Sequence, residues 1–186
     1  MTPGRSPKNI PERIQRLLDE RGMEKGRPDP ASVVGLWIKA VNSDLDAREA
    51  VLSTDNRVGL AYQAGLQAVR AFLDASGYRV RSGRNHHYYS FYAAQALAEA
   101  ANDEALRRGA EDMDGHRARR ATAVYDAEPA TENDLADLLG ILDGLLPAIR
   151  AVLLRQLPRR AADIPPAGQR PGSPGGGTST TTPRRR

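Results

Sequence analysis

Cysteine is absent from all 186 residues, which excludes disulfides and any thiolate metal site. Histidine is scarce too, limited to His86, His87 and His116. No metal-ligand spacing such as His-Glu-x-x-His occurs, so neither a metal nor a cofactor is expected. No apolar run approaches the roughly 18 residues of a membrane span, and no membrane partner is expected. Residues Met1 to Pro11 are polar where a secretory leader would be apolar. Together with the missing cysteine, this reads as a cytoplasmic chain. Gly-rich phosphate loops, nucleophile elbows and paired-carboxylate patterns are also lacking. No stretch keeps the two-residue period of a strand.

Charge of one sign is not in large excess. The 27 basic and 23 acidic side chains leave +4. Residues 1–29 hold 7 basic and 5 acidic groups, and residues 163–186 hold 4 and 1. The middle is therefore close to neutral, with 16 against 17, and any affinity for nucleic acid must come from local clusters. Nearly all the cations are arginine, in an alanine-rich chain; a GC-rich genome produces the same bias, so arginine number alone carries no argument.

What is present is helical periodicity. Ile10, Ile14, Leu17 and Leu18 form a short amphipathic face that Gly22 closes. Val33, Val34, Trp37, Val41 and Leu45 mark a second helix. A third, capped at Thr54 or Asp55, carries Tyr62, Leu66, Val69 and Leu73 on one face and stops at Gly77. Its small-residue stripe, Ala61, Ala64, Ala68, Ala71 and Ala75, admits a closely packed partner helix. A loop from Tyr78 to Asn85 precedes a fourth helix, His86 to about Ala101, and a polar fifth runs from about Asp103 to Ala123. Thr131 and Asp134 form a capping pair for a sixth, whose leucine stripe runs from Leu135 to Leu153 with an expected kink at Pro147. The fold class is all-α, an up-and-down bundle of four to six helices over residues 10–160. It is flanked by a flexible N-terminus, 1–9, and a disordered Pro/Gly/Ser/Thr-rich basic tail, 161–186.

Two clusters of residues offer chemistry. Arg79, Arg81 and Arg84 precede His86 and His87 in one loop before a helix, where arginines and free backbone N–H groups together suit a phosphate. The alternative is a solvated loop whose histidine caps the helix. His116, Arg117, Arg119 and Arg120 form a second basic group, with Tyr125 five residues after Arg120. His116 and Arg120 lie four apart, on one helix face. The alternative there is a basic helix end followed by an ordinary turn tyrosine. Beside the first cluster, Tyr88, Tyr89, Phe91 and Tyr92 gather four of the nine aromatics. Exposed, they stack on bases; packed, they belong to the core.

The order of these segments resembles prokaryotic members of the HEPN family (higher eukaryotes and prokaryotes nucleotide-binding). The resemblance is carried by Leu60-Ala61-Tyr62-Gln63-Ala64, by Ala71 to Arg79, by Gly83-Arg84-Asn85-His86-His87 and by Arg119 to Asp126, and spans roughly Ile10 to Leu157. It implies a helical bundle paired as a homodimer, RNA or nucleotide as ligand, and a place in a toxin–antitoxin or defence system with an antitoxin or nucleotidyltransferase as partner. The family signature, Arg-Asn-x-x-x-His, falls on Arg120, Ala121 and Tyr125, so two of its three positions differ. Arg120 and Tyr125 are the catalytic positions the resemblance implies. A tyrosine, with its pKa near about 10, is a poor base at neutral pH. Binding without cleavage is therefore one expectation, a metal-independent endoribonuclease a second, and a purely structural dimerisation bundle a third. Arg81 and His86 also match the signature by spacing, but before the fourth helix.

Overall fold

The structure, a computed structural model, describes residues 10–83, 85–126 and 129–170, and of residues 118–126 the backbone alone. The fold is all-α. Six α-helices are described: α1 (Glu12–Asp19), α2 (Pro30–Ala47), α3 (Thr54–Ala75), α4 (His86–Ala100), α5 (Glu104–Asp126) and α6 (Glu132–Gln156). A 3-10 turn, Pro158–Asp163, follows α6.

Local chemistry sets the helix starts. Asp29 caps α2 ahead of Pro30, whose missing N–H costs nothing at a first helical position. Ser53, one residue before the expected caps, accepts from the Asn56 N–H and starts α3. Thr131 and Asp134 form a reciprocal capping box on α6, as the sequence predicts. α6 continues through Pro147.

α3 is the central helix, in contact with α2, α4, α5 and α6. Its alanine stripe is consumed inside the chain, with Ala61, Ala64, Ala68 and Ala71 fully buried. That leaves no small-residue face on α3 for a second copy. Close approach also explains Gly109: a Cβ there would lie 2.9 Å from the Leu145 Cβ of α6. Two buried carboxylates lock the frame. Asp44 on α2 accepts two hydrogen bonds from Arg48, which also reaches Asp143 on α6 at 2.8 Å. Asp74 at the end of α3 accepts from Ser32 and from Arg79.

Two features depart from the sequence reading. A strand pair exists: β1 (Met23–Lys25) pairs antiparallel with β2 (Tyr78–Val80), Glu24 opposite Arg79. Three residues per strand are too few to register as alternation. Second, residues 161–170, placed by sequence in the disordered tail, pack onto the bundle. Ile164 is buried, and the Pro165 carbonyl accepts a hydrogen bond from the Trp37 indole. One apolar side chain and backbone acceptors with distant partners offset the ordering entropy that composition alone left unopposed. Residues 1–9 and 171–186 lie outside the described residues.

Candidate nucleic-acid interface

The start of α4 concentrates the chemistry. Asn85, at a left-handed φ of 71°, turns the chain into the helix and makes no side-chain cap, so no side chain of Asn85 takes the first-turn N–H groups. The His86 Nδ1–H donates to the Gly83 carbonyl at 2.7 Å, which leaves Nε2 as the outward ring nitrogen. The His87 Nδ1 shares a 3.1 Å hydrogen bond with the Tyr62 hydroxyl of α3. The two imidazoles meet edge to face, centroids 4.2 Å apart. The Ser90 hydroxyl donates to the His86 carbonyl and holds the first turn in place.

Electrostatics at His87 has one sign. Burial lowers its pKa below the ordinary imidazole value, and His86, Arg70 and Arg117 push it further in the same direction. Among the described residues, the charged groups that shift His87 are His86, Arg70 and Arg117. A phosphate placed there would relieve that repulsion.

Beside the imidazoles runs an aromatic ladder. Arg117 on α5 lies over the Tyr88 ring, 5.4 Å from its centre. Tyr88 stacks on Tyr92 at 5.5 Å with planes 27° apart, and Arg13 on α1 covers Tyr92 at 5.5 Å. Tyr89 sits against Tyr88 and over Gly22, where a Cβ would come within 3.0 Å of its ring. Phe91 alone of the four is fully buried, packed edge to face on Tyr62; the three tyrosines are half-buried. The helix period explains the split, because Tyr88 and Tyr92, four apart, share one face while Phe91 turns to the core. The segment thus divides between the two roles that the sequence left open. Guanidiniums and phenol rings thus alternate in one row, Arg117, Tyr88, Tyr92 and Arg13, as a cation–π stack.

The residues singled out by sequence are placed unevenly. His86, His87 and Arg117 come together at this end. Arg79 and Arg81 do not join them as free cations: Arg79, raised in pKa by the hydrogen bonds it donates to Asp74, is bound at 2.8 Å, and Arg81 pairs with Glu24 across the strand pair at 3.1 Å. Both belong to β2 or its edge rather than to an open loop. His116 is 7 % exposed and faces the interior. Arg117 keeps an ion pair with Asp114 at 2.6 Å beneath its stacking contact. Arg84 and the side chains of Arg119, Arg120 and Tyr125 lie outside the described residues; the backbone at 119, 120 and 125 belongs to α5 rather than to a turn. Sequence reasoning missed Arg13, Tyr62 and Arg70 as members of this end. Tyr62 was legible only as part of an apolar face, and nothing local ties Arg13 to Tyr92.

A cavity of about 440 Å³ opens at the opposite end of α4, lined by Arg13, Glu99, Asp103, Glu104, Arg107 and Glu111 among others. Its charges are satisfied internally. Arg107 bonds Glu104 and Glu111, and hydrogen bonds from Arg107 and Arg108 hold the Glu104 carboxyl down at about 2. Among the described residues no helix is long and apolar enough to cross a membrane, and no group of three or more acidic or histidine side chains is placed to hold a metal. No family model, curated protein or solved structure matches this chain.

Proposed function

We propose that this chain is a HEPN-like helical bundle that binds single-stranded RNA or nucleotides, with the start of α4 as the binding surface. In this reading His86, His87 and the N–H groups of the first α4 turn receive a phosphate, Arg70 and Arg117 supply long-range attraction, and Tyr88 and Tyr92 stack on bases. The observation that carries the reading is the meeting of His86 and His87 with Arg117 and the Tyr88–Tyr92 pair at one helix start. The bundle acts as a homodimer with an antitoxin or nucleotidyltransferase partner in a toxin–antitoxin or defence setting, as the resemblance of its segments to that family implies.

A specific observation favours a second reading, metal-independent RNA cleavage. His86 donates its Nδ1–H to the Gly83 carbonyl, so that its neutral form carries the lone pair on Nε2, as a base for a ribose 2′-hydroxyl requires.

The test is anisotropy of a labelled single-stranded RNA in EDTA, with the reaction run on a gel afterwards. Saturable binding by wild type that His87→Gln and Arg117→Ala both weaken supports the binding reading. Fragments from wild type that His86→Gln abolishes move the weight to cleavage. Equal binding by wild type and both variants removes the surface from consideration.

A further inference from the structure

The segment after α6 is bound to the bundle as a peptide ligand is bound to a receptor. Arg150 on α6 donates Nε–H to the Pro165 carbonyl at 3.0 Å and an Nη–H to the Ile164 carbonyl at 3.1 Å, bracketing two successive backbone acceptors. The Trp37 indole on α2 donates to the same Pro165 carbonyl at 2.9 Å. Ile164 is 1 % exposed, sunk beside them. Arg170 then ties the far end to Asp46 on α2 at 2.8 Å. The backbone of the strip suits this. Ile164, at φ −108° and ψ 83°, and Pro165 each precede a proline, which disfavours the helical region for both, and each proline ring fixes its own φ at about −65°. An extended proline-containing strip loses little entropy on docking, and an indole N–H aimed at its carbonyls is how aromatic grooves read such strips.

We infer that the groove between α2 and α6 lined by Trp37 and Arg150 is a binding site for extended apolar-Pro-Pro segments, with Ile164-Pro165-Pro166 as its resident ligand in cis. The outside partner it fits is a protein segment of that same pattern, which displaces the strap. The groove reads backbone acceptors and one apolar side chain, so the surrounding sequence of that partner is little constrained. The tether from Leu157 gives the strap an effective concentration on the order of millimolar, so an outside segment competes against a strong resident.

Trp37 is the only tryptophan and reports directly on the groove. The experiment uses the full chain and a synthetic peptide of residues 160–170. Wild type is expected to show blue-shifted emission poorly quenched by acrylamide. Ile164→Asp, with far-UV helicity retained, is expected to show red-shifted, quenchable emission, unchanged RNA binding, and peptide binding tighter than wild type by about tenfold or more as the resident competitor is lost. A peptide with both prolines replaced by glycine should bind the variant more weakly. Arg150→Ala, which leaves the apolar packing intact, is read the same way should Ile164→Asp lose helicity. Buried Trp37 emission in both variants overturns the proposal, as does an exposed Trp37 with no peptide binding. A wild-type dimer that Ile164→Asp dissolves would assign the groove to a second copy of the chain and overturn the outside partner.

Discussion

The two ends of α4 carry similar residue types and opposite chemistry. At the far end, arginines and glutamates of α1, α4 and α5 line the cavity and bond one another, as Arg107 does with Glu104 and Glu111. At the start, the His86 and His87 imidazoles, the Arg117 guanidinium and the phenols of Tyr88, Tyr89 and Tyr92 gather, and Arg117 is paired there with Asp114. Self-neutralised charge on a surface contributes little to stability and leaves nothing over for a ligand. Unbalanced charge beside stacking surfaces costs stability and is repaid when an anion binds. Cavity volume points to one end and charge balance to the other, and the proposed binding surface rests on the second.

The largest expected effect that sharpens this contrast is Tyr88→Ala. Loss of one stacking platform should weaken single-stranded RNA binding by about 1–3 kcal/mol, read by anisotropy with helicity checked alongside. Arg117→Ala comes next; it should weaken binding uniformly across sequences and reduce the salt slope of log K by about one. A sequence-dependent loss or an unchanged slope would break the assignment of Arg117 to phosphate attraction.

His87 supplies a pH signature. Its folded pKa lies below the unfolded value near about 6.5, so below that value the unfolded chain binds the extra proton and stability falls as pH falls. Acidification from pH 7 to 5 should lower the wild-type melting temperature more than that of His87→Gln. In the complex the sign reverses, because protonated His87 faces a phosphate, so RNA affinity should rise over the same window and the rise should vanish in His87→Gln. The smallest effect is the control at the other end. Glu104→Gln should leave RNA affinity within about twofold of wild type, since its ion pairs with Arg107 and Arg108 lie at the far end of α4. A large change there would dissolve the contrast between the ends.

Much of the helical frame was legible in the sequence. The capping box at Thr131 and the apolar stripes of the first, second, third and sixth helices are local patterns, and local patterns survive folding. What was not legible is long-range. The alanine stripe announced close packing but not that α2 and the rest of the bundle would use it up. Arg79 looked free because Asp74, five residues earlier, reads as an ordinary acid on a helix end until Ser32 arrives from α2 to bury it. The strap was invisible because its anchors, Trp37 and Arg150, lie 128 and 15 residues from Pro165. Arg120 and Tyr125 shared a segment whose side chains lie outside the described residues, and the family signature assigned to them stands as sequence resemblance.

The most direct test of the central claim is imidazole NMR on the full chain, titrated in pH with and without a short single-stranded RNA. Bound RNA is expected to raise the pKa of His87 and shift both His86 and His87 signals, while buried His116 stays in place. Unchanged His86 and His87 signals at saturating RNA would contradict the account, because the binding surface would then lie elsewhere.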